Sequence, residues 1–310
     1  MENRIASFVK NHTRLLLKDV PALSAEDPLW ALNKTQTGEV LFPKEVVNLF
    51  ATVRNINKEA FEAIEGSNCT QKPWQGSGSP LEGGGVMTVM RGEILEKSAV
   101  NMSIVAGPHY PAVDGDYAGK PFKAIGVSLI SHPKNPHAPI VHMNVRCLQV
   151  RRQTDQWVTW IGGGADLTPM MPYEEDTQEF HKSMETCCNM HTHLASYDRF
   201  KKWADEYFFI THRKEARGVG GIFFDYVTTE KLEDLQFLLD IGQTTAQIYA
   251  KILGRRAALP YDAALEERHL YWRGRYAEFN LAYDRGTRFG LLSGGNAEAI
   301  LCSLPPRVRW

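Results

Sequence analysis

Ala124-Ile-Gly-Val-Ser128-Leu-Ile-Ser-His132-Pro-Lys-Asn-Pro-His137-Ala-Pro-Ile-Val-His142-Met-Asn144-Val-Arg146 carries the fold reading. Apolar and polar residues alternate on both sides of a proline-rich connection, the period-two signature of half-buried strands. The prolines at 133, 136 and 139 stiffen the connection at low entropic cost. Working outward, strands are expected at 124–131, 140–150 and 157–162. Before them, a hairpin-like pattern covers Val86–Arg91, Glu93–Lys97 and Val100–Val105. Loops rich in Gly, Pro, Ser or Asp are expected at 74–84 and 106–123. Residues 1–70 read as helical, interrupted at Pro21 and Pro28. Helices are expected from about Glu174 to His193, then near 197–212, 230–253 and 262–272. A strand at Gly221–Phe224, last strands at 276–283 and 288–292 and a short helix near 297–303 complete the pattern. Strands and helices do not alternate regularly, so the class is α+β rather than a doubly wound sheet. The chain reads as a single domain over 1–310, with 1–70 a helical part packed on it.

Composition excludes several functions. The 310 residues are 43% apolar and 23% charged, enough to bury a substantial core. The formal net charge of −1 gives no basic field to attract nucleic acid. No apolar run approaches the roughly 20 residues that span a bilayer. An early acid and the lack of a hydrophobic secretory core point to the cytoplasm. The five cysteines, Cys69, Cys147, Cys187, Cys188 and Cys302, show no Cys-x-x-Cys spacing. That spacing leaves no zinc ribbon or redox motif, and no thiolate cluster for an iron–sulfur enzyme.

Several residue groups carry chemistry. Tyr276-Ala-Glu-Phe-Asn-Leu-Ala-Tyr-Asp284-Arg285-Gly-Thr-Arg288-Phe-Gly-Leu, followed by Ser293-Gly294-Gly295-Asn296, sets an acid and a cation beside permissive backbone. This combination suits an anionic substrate, although a capped strand end with a surface ion pair has the same pattern. Asn144 and Arg146, two apart on a strand, share a face. An amide and a guanidinium there suit a carboxylate, and pairing with an acid on a neighbouring strand is the alternative. His132 and His142 flank the proline loop, where an imidazole can move a proton or simply hydrogen-bond backbone. Asp166 follows Gly162-Gly163-Gly164; it is a candidate base or the cap of a turn. Gly218-Val-Gly-Gly221 lacks the dinucleotide register and reads as a tight turn. Arg213 and Arg217 before it either line the site or are surface charges.

Trp160-Ile-Gly162-Gly163-Gly164-Ala-Asp166-Leu-Thr-Pro169, Lys201-Lys-Trp203 through His212-Arg213, and Arg217-Gly-Val-Gly-Gly-Ile-Phe-Phe-Asp225 join the two stretches above. Together they closely resemble the oxygen-dependent coproporphyrinogen III oxidases of haem biosynthesis. The resemblance is nearly continuous from about Trp74 to Trp310. It implies a large antiparallel sheet covered by helices on both faces, and a homodimer to which the segment from about Tyr276 contributes. The implied reaction converts two propionates of coproporphyrinogen III to vinyls, giving protoporphyrinogen IX. Molecular oxygen is the co-substrate and no further cofactor is required. By the same resemblance His142, Asp166 and Asp284 are the catalytic candidates. Ser128, Asn144, Val145, Arg146, Arg285, Gly294, Gly295 and Asn296 are the substrate contacts. His132, His142, His181 and His212 match positions assigned to a divalent metal in bacterial-type members, a set whose spacing is weak by itself.

Burial beneath a porphyrinogen is expected to raise the pKa of Asp166 and Asp284 and make them better bases. The sequence departs from the family pattern at Asn296, where an arginine is usual, and at Tyr226, where a second aspartate is frequent. Two other classes stay open: a tetrapyrrole carrier without turnover, and a metal-dependent hydrolase built on the histidines.

Overall fold

A computed structural model describes residues 1–76, 80–110, 116–152, 156–292 and 294–310. Parts of the loops expected at 74–84 and 106–123 lie outside the described residues. The chain opens with α1 (Glu2–Asn11), α2 (Leu29–Leu32) and the long α3 (Lys44–Glu65). Six strands follow: β1 (Thr70–Gln75), β2 (Glu82–Met90), β3 (Leu95–Gly107), β4 (Phe122–Pro133), β5 (Ile140–Arg151) and β6 (Trp157–Thr168). Helices α4 (Glu174–Asn189) and α5 (Tyr197–Tyr207) lead to the short pair β7 (Phe209–Ile210) and β8 (Glu215–Ala216). Then come β9 (Gly220–Thr228), α6 (Gln236–Arg256), α7 (Ala263–Ala282), α8 (Arg285–Leu292) and α9 (Ala297–Leu301).

The strands β1-β2-β3-β4-β5-β6-β9 form one antiparallel sheet in that order. Its far face carries the alternate residues Val127, Leu129, Met143, Val145 and Ile161 into the main core. There they meet α3 and α6, which contribute Phe50, Phe61, Phe237 and Tyr249. The near face carries Ile130 and Ile140 against Tyr276 of α7. Helices therefore pack on both faces, as the resemblance implied. A polar contact pins α6 to the sheet: the buried Tyr249 hydroxyl bonds Ser131 Oγ at 2.9 Å and the Pro139 carbonyl at 3.1 Å. Ser131 Oγ is also 2.6 Å from Ser98 Oγ on the next strand.

Two expectations are corrected. The segment 276–283 is the end of α7, and 288–292 lies in α8. Tyr276, Phe279, Asn280 and Tyr283 also fit a helical i, i+3, i+4, i+7 stripe, so eight residues alone do not separate the two periods. What decides is the start upstream. The Asp262 side chain accepts from the Leu265 amide at 2.9 Å, and no proline follows to break the helix. The single glycine within α7, Gly274, lies under the Arg309 carbonyl, which a Cβ would approach to 2.2 Å. The hairpin-like pattern over 86–105 is the antiparallel pair β2 and β3, but its segments 93–97 and 100–105 fall on one strand, β3, with a register shift between Leu95 and Lys97.

Tyr249→Phe removes one donor from a buried network. We expect a loss of about 1–3 kcal/mol in urea unfolding, with activity per folded molecule unchanged.

Candidate active site

The strand register assembles the site. Ser128 lies opposite Asn144, and Asn144 opposite Gly164. His142 lies opposite Asp166, and Arg146 opposite Gly162. Opposed residues share a face, so all of these sit on the near face. Ser128 is exposed although β4 has a strand on either side, so the centre of this face is uncovered. Phe122, Trp160, Tyr110 and Phe289 pack at one end of the opening, and Tyr276 at the other. Val145 alternates to the far face and is fully buried in the main core. Its side chain therefore does not reach the near face.

Asp166 is the buried hub, at 2% exposure. Its Oδ1 lies 2.7 Å from His142 Nδ1, and its Oδ2 accepts from Arg217. Arg217 is buried too, and its guanidinium lies over the rings of Phe208, Tyr276 and Phe279 at 4.2, 4.7 and 4.7 Å from their centroids. Burial alone would raise the Asp166 pKa, but the Arg217 charge and the bonds from His142 and Arg217 outweigh it and hold the carboxyl low. The expected upward shift is thus reversed. An ionised carboxylate only accepts, so His142 Nδ1 must donate to it. That fixes the ring and leaves Nε2 as the nitrogen that does not bond Asp166. The His142 side chain is 23% exposed, toward the open face.

Arg146 is not free. It donates to Asn144 Oδ1 and to Asp225 Oδ2, both at 2.8 Å. A Cβ on Gly162 would come within 2.5 Å of Asp225 Oδ1 and 3.0 Å of Arg146 Nε. Glycine at 162 makes room for this ion pair. The acid that holds Arg146 comes from β9, two strands along the sheet, and the pair lies on the open face.

Asp284 caps α8. Its Oδ2 accepts from the Thr287 amide and hydroxyl at 2.7 and 2.8 Å, and its Oδ1 accepts from the Tyr207 hydroxyl at 2.9 Å. Tyr207 also stacks on Phe223, the residue paired with Gly164, at 4.1 Å between centroids. Burial, then the nearby Asp284 charge, push the Tyr207 hydroxyl pKa up, so this phenol stays a donor. The Arg285 amide reaches the Tyr207 hydroxyl at 3.0 Å, while its side chain is exposed. Asn296 caps α9 through its side chain, bonded to the Ala299 amide at 3.0 Å. Gly294 takes a left-handed φ of +79° just before it, and the Gly295 amide bonds the Gly290 carbonyl.

Arg217 was left open by the sequence, and Tyr207 was missed. The signal for Arg217 lies in spacing that only the sheet register reveals. Tyr207 carried none.

A family description of coproporphyrinogen III oxidase matches residues 45–310. The chain belongs to the coproporphyrinogen III oxidase family. It is 41% identical over 283 residues to the oxygen-dependent coproporphyrinogen-III oxidase of Rickettsia akari (strain Hartford), covering 86% of this chain and 98% of that one. The protein of the same name from Rickettsia bellii (strain OSU 85-389) is 41% identical over 276 residues, covering 84% and 95%.

The histidines linked to metal in bacterial-type members of this family do not converge here. His132 is fully buried, with Nε2 on the Ser303 carbonyl at 2.8 Å. His181 lies on α4 between the Tyr197 hydroxyl and the Val219 carbonyl, each at 2.9 Å. His212 contacts Tyr283 and Glu278, and His142 is committed to Asp166. Burial holds His132 and His181 below the usual imidazole pKa. Among the described residues, no group of three or more His, Cys, Asp or Glu side chains can hold a metal ion. The donor set therefore does not fit a metal. Among them too, no helix is long and apolar enough to cross a membrane.

The hub gives a pH-dependent prediction. Arg217→Met leaves a buried carboxylate unpaired and should cost about 3–5 kcal/mol. The folded-state pKa of Asp166 is depressed, so its contribution is complete above the ordinary carboxylate range and is lost as pH falls through the lower folded value. Without Arg217 the sign reverses, because protonation relieves the buried charge. Urea midpoints should therefore draw together as pH is lowered from 7 toward 4; a constant gap would contradict the pairing.

Proposed function

We propose that this protein catalyses the oxygen-dependent oxidative decarboxylation of coproporphyrinogen III to protoporphyrinogen IX, in haem biosynthesis. The ring A and ring B propionates become vinyls. The observation that carries the reading is the uncovered near face, where His142, Asn144, Arg146 and Ser128 stand in register beside Asp284, in a member of this family.

The chemistry uses a reduced tetrapyrrole with inward N–H donors and peripheral carboxylates. At each propionate a β C–H bond and the bond to the carboxyl carbon break; the C–C pair becomes the second bond of the vinyl C=C and the C–H pair goes to oxygen. Molecular oxygen takes the two electrons and two protons, so CO2 and hydrogen peroxide leave. The pyrrole supplies electron density once its N–H is polarised. Dioxygen adds beside the ring, and the peroxide so formed removes the β hydrogen. Asp284 is the group we assign to the pyrrole N–H. It is partly exposed, and its Oδ1 keeps a lone pair beyond Tyr207, while the Thr287 amide and hydroxyl fill Oδ2. Asp166 is a positioning residue instead: it is buried beneath the face with each oxygen bonded inside the protein, and it sets the tautomer of His142, which shuttles a proton. Arg146, with Asn144, holds a carboxylate by opening its bond to Asp225, which supplies positioning. Ser128, Arg285 and the Gly294-Gly295-Asn296 turn remain assigned to substrate contact. Leu281, Leu291 and Leu292 are exposed, which supports a homodimer contact through the segment from Tyr276.

Asp284→Asn tests the assignment cleanly, because asparagine also caps helices. It should fold normally and lower kcat by about 10²–10⁴-fold, the usual weight of acid–base catalysis. Near-normal kcat with an intact melting curve would remove Asp284 from the chemistry.

A further inference from the structure

Tyr226 is the anomaly on the near face. It adopts φ +53°, a left-handed conformation rare for a bulky residue. It sits in β9 where the pairing with β6 slips between Ile161 and Gly163. Such an outlier persists only where its surroundings impose it, and it gathers at functional sites. The consequence here is local and visible. The Tyr226 amide reaches Asp225 Oδ1 at 3.0 Å, while Asp225 Oδ2 holds Arg146. The left-handed turn thus aims the acid at the arginine.

The side chain is a second observation. At 54% exposure, the Tyr226 ring is one of the most open aromatics of the described residues. It leans on Trp160 at 5.4 Å between centroids and stands beside Tyr110. Trp160 and Tyr110 belong to the aromatic cluster at one end of the open face. An exposed ring therefore stands beside a guanidinium that one carboxylate neutralises. An aspartate here would add a second negative charge where an anionic substrate must approach; a phenol does not.

We propose that Tyr226 is a specificity-determining contact that packs its ring against the pyrrole whose carboxylate side chain Arg146 holds. The ligand is a pyrrole bearing an anionic arm, read by stacking at the ring and by the guanidinium at the carboxylate. This rests on the oxidase reading above.

Two variants and one footprint test it. Tyr226→Asn tolerates the left-handed turn but removes the ring; Tyr226→Phe keeps the ring. With coproporphyrinogen III we expect the asparagine variant to raise KM about tenfold with kcat within about twofold, an order-of-magnitude loss typical of one aromatic contact. The phenylalanine variant should stay near wild type. A purely structural role would move kcat or the melting temperature and would not be rescued by phenylalanine. Should the asparagine variant unfold, tyrosine nitration of the wild-type protein answers instead. Coproporphyrin III, the oxidised form that does not turn over, should protect Tyr226 and leave Tyr261, 40% exposed, reactive. An unchanged KM, or equal nitration of both tyrosines, overturns the proposal while leaving the oxidase reading standing. Absence of wild-type turnover overturns the reading and the proposal together.

Discussion

The buried ion pair between Asp166 and Arg217 is the constraint on which the site depends. Two charges below 5% exposure are costly unless each is satisfied. The solution uses three kinds of partner: a carboxylate oxygen for the guanidinium, aromatic faces around it, and an imidazole for the second carboxylate oxygen. Because the pair crosses from β6 to the turn before β9, and two of its rings, Tyr276 and Phe279, come from α7, it ties the sheet to that helix. It also fixes which His142 nitrogen faces the open side. On the proposed mechanism, a stability device and a catalytic orientation are the same contact.

The sheet divides its labour by face. The far face is a continuous apolar surface under α3 and α6, so register is strongly specified, since a one-residue slip would turn every side chain over. That certainty places Ser128, Asn144, Arg146 and His142 in one row on the other face. The near face is closed at its ends by apolar packing and left open at its centre. Glycines at 162 and 164 keep side chains out of that floor, and at 162 the space is taken by the Arg146–Asp225 pair.

Much of this was legible in the sequence. The alternation at 124–131 and 140–150 marks β4 and β5, and the two-residue step from Asn144 to Arg146 marks a shared face. Long motifs gave the family. What was not legible shares one physical cause: it depends on partners distant in the chain. Asp166 reads as a base with its pKa raised by burial beneath a porphyrinogen, because its partner Arg217, 51 residues on, is not visible in the local sequence. Asp284 looked like a strand end, because the Tyr276–Tyr283 run satisfies both periods; the cap at Asp262 that makes it helical lies well upstream. Arg146 reads as a carboxylate clamp or as the partner of a neighbouring strand's acid; the acid that holds it, Asp225, comes from a strand two further along the sheet. The histidine set drawn from the family falls apart, because each ring already has a local partner.

The most direct measurement follows oxygen uptake and tetrapyrrole product together during aerobic turnover of coproporphyrinogen III by purified, chelator-treated protein. The account predicts vinyl product with one oxygen consumed for each propionate lost, and no gain on adding a divalent ion. Binding without turnover, or turnover that returns only with added metal, would contradict it.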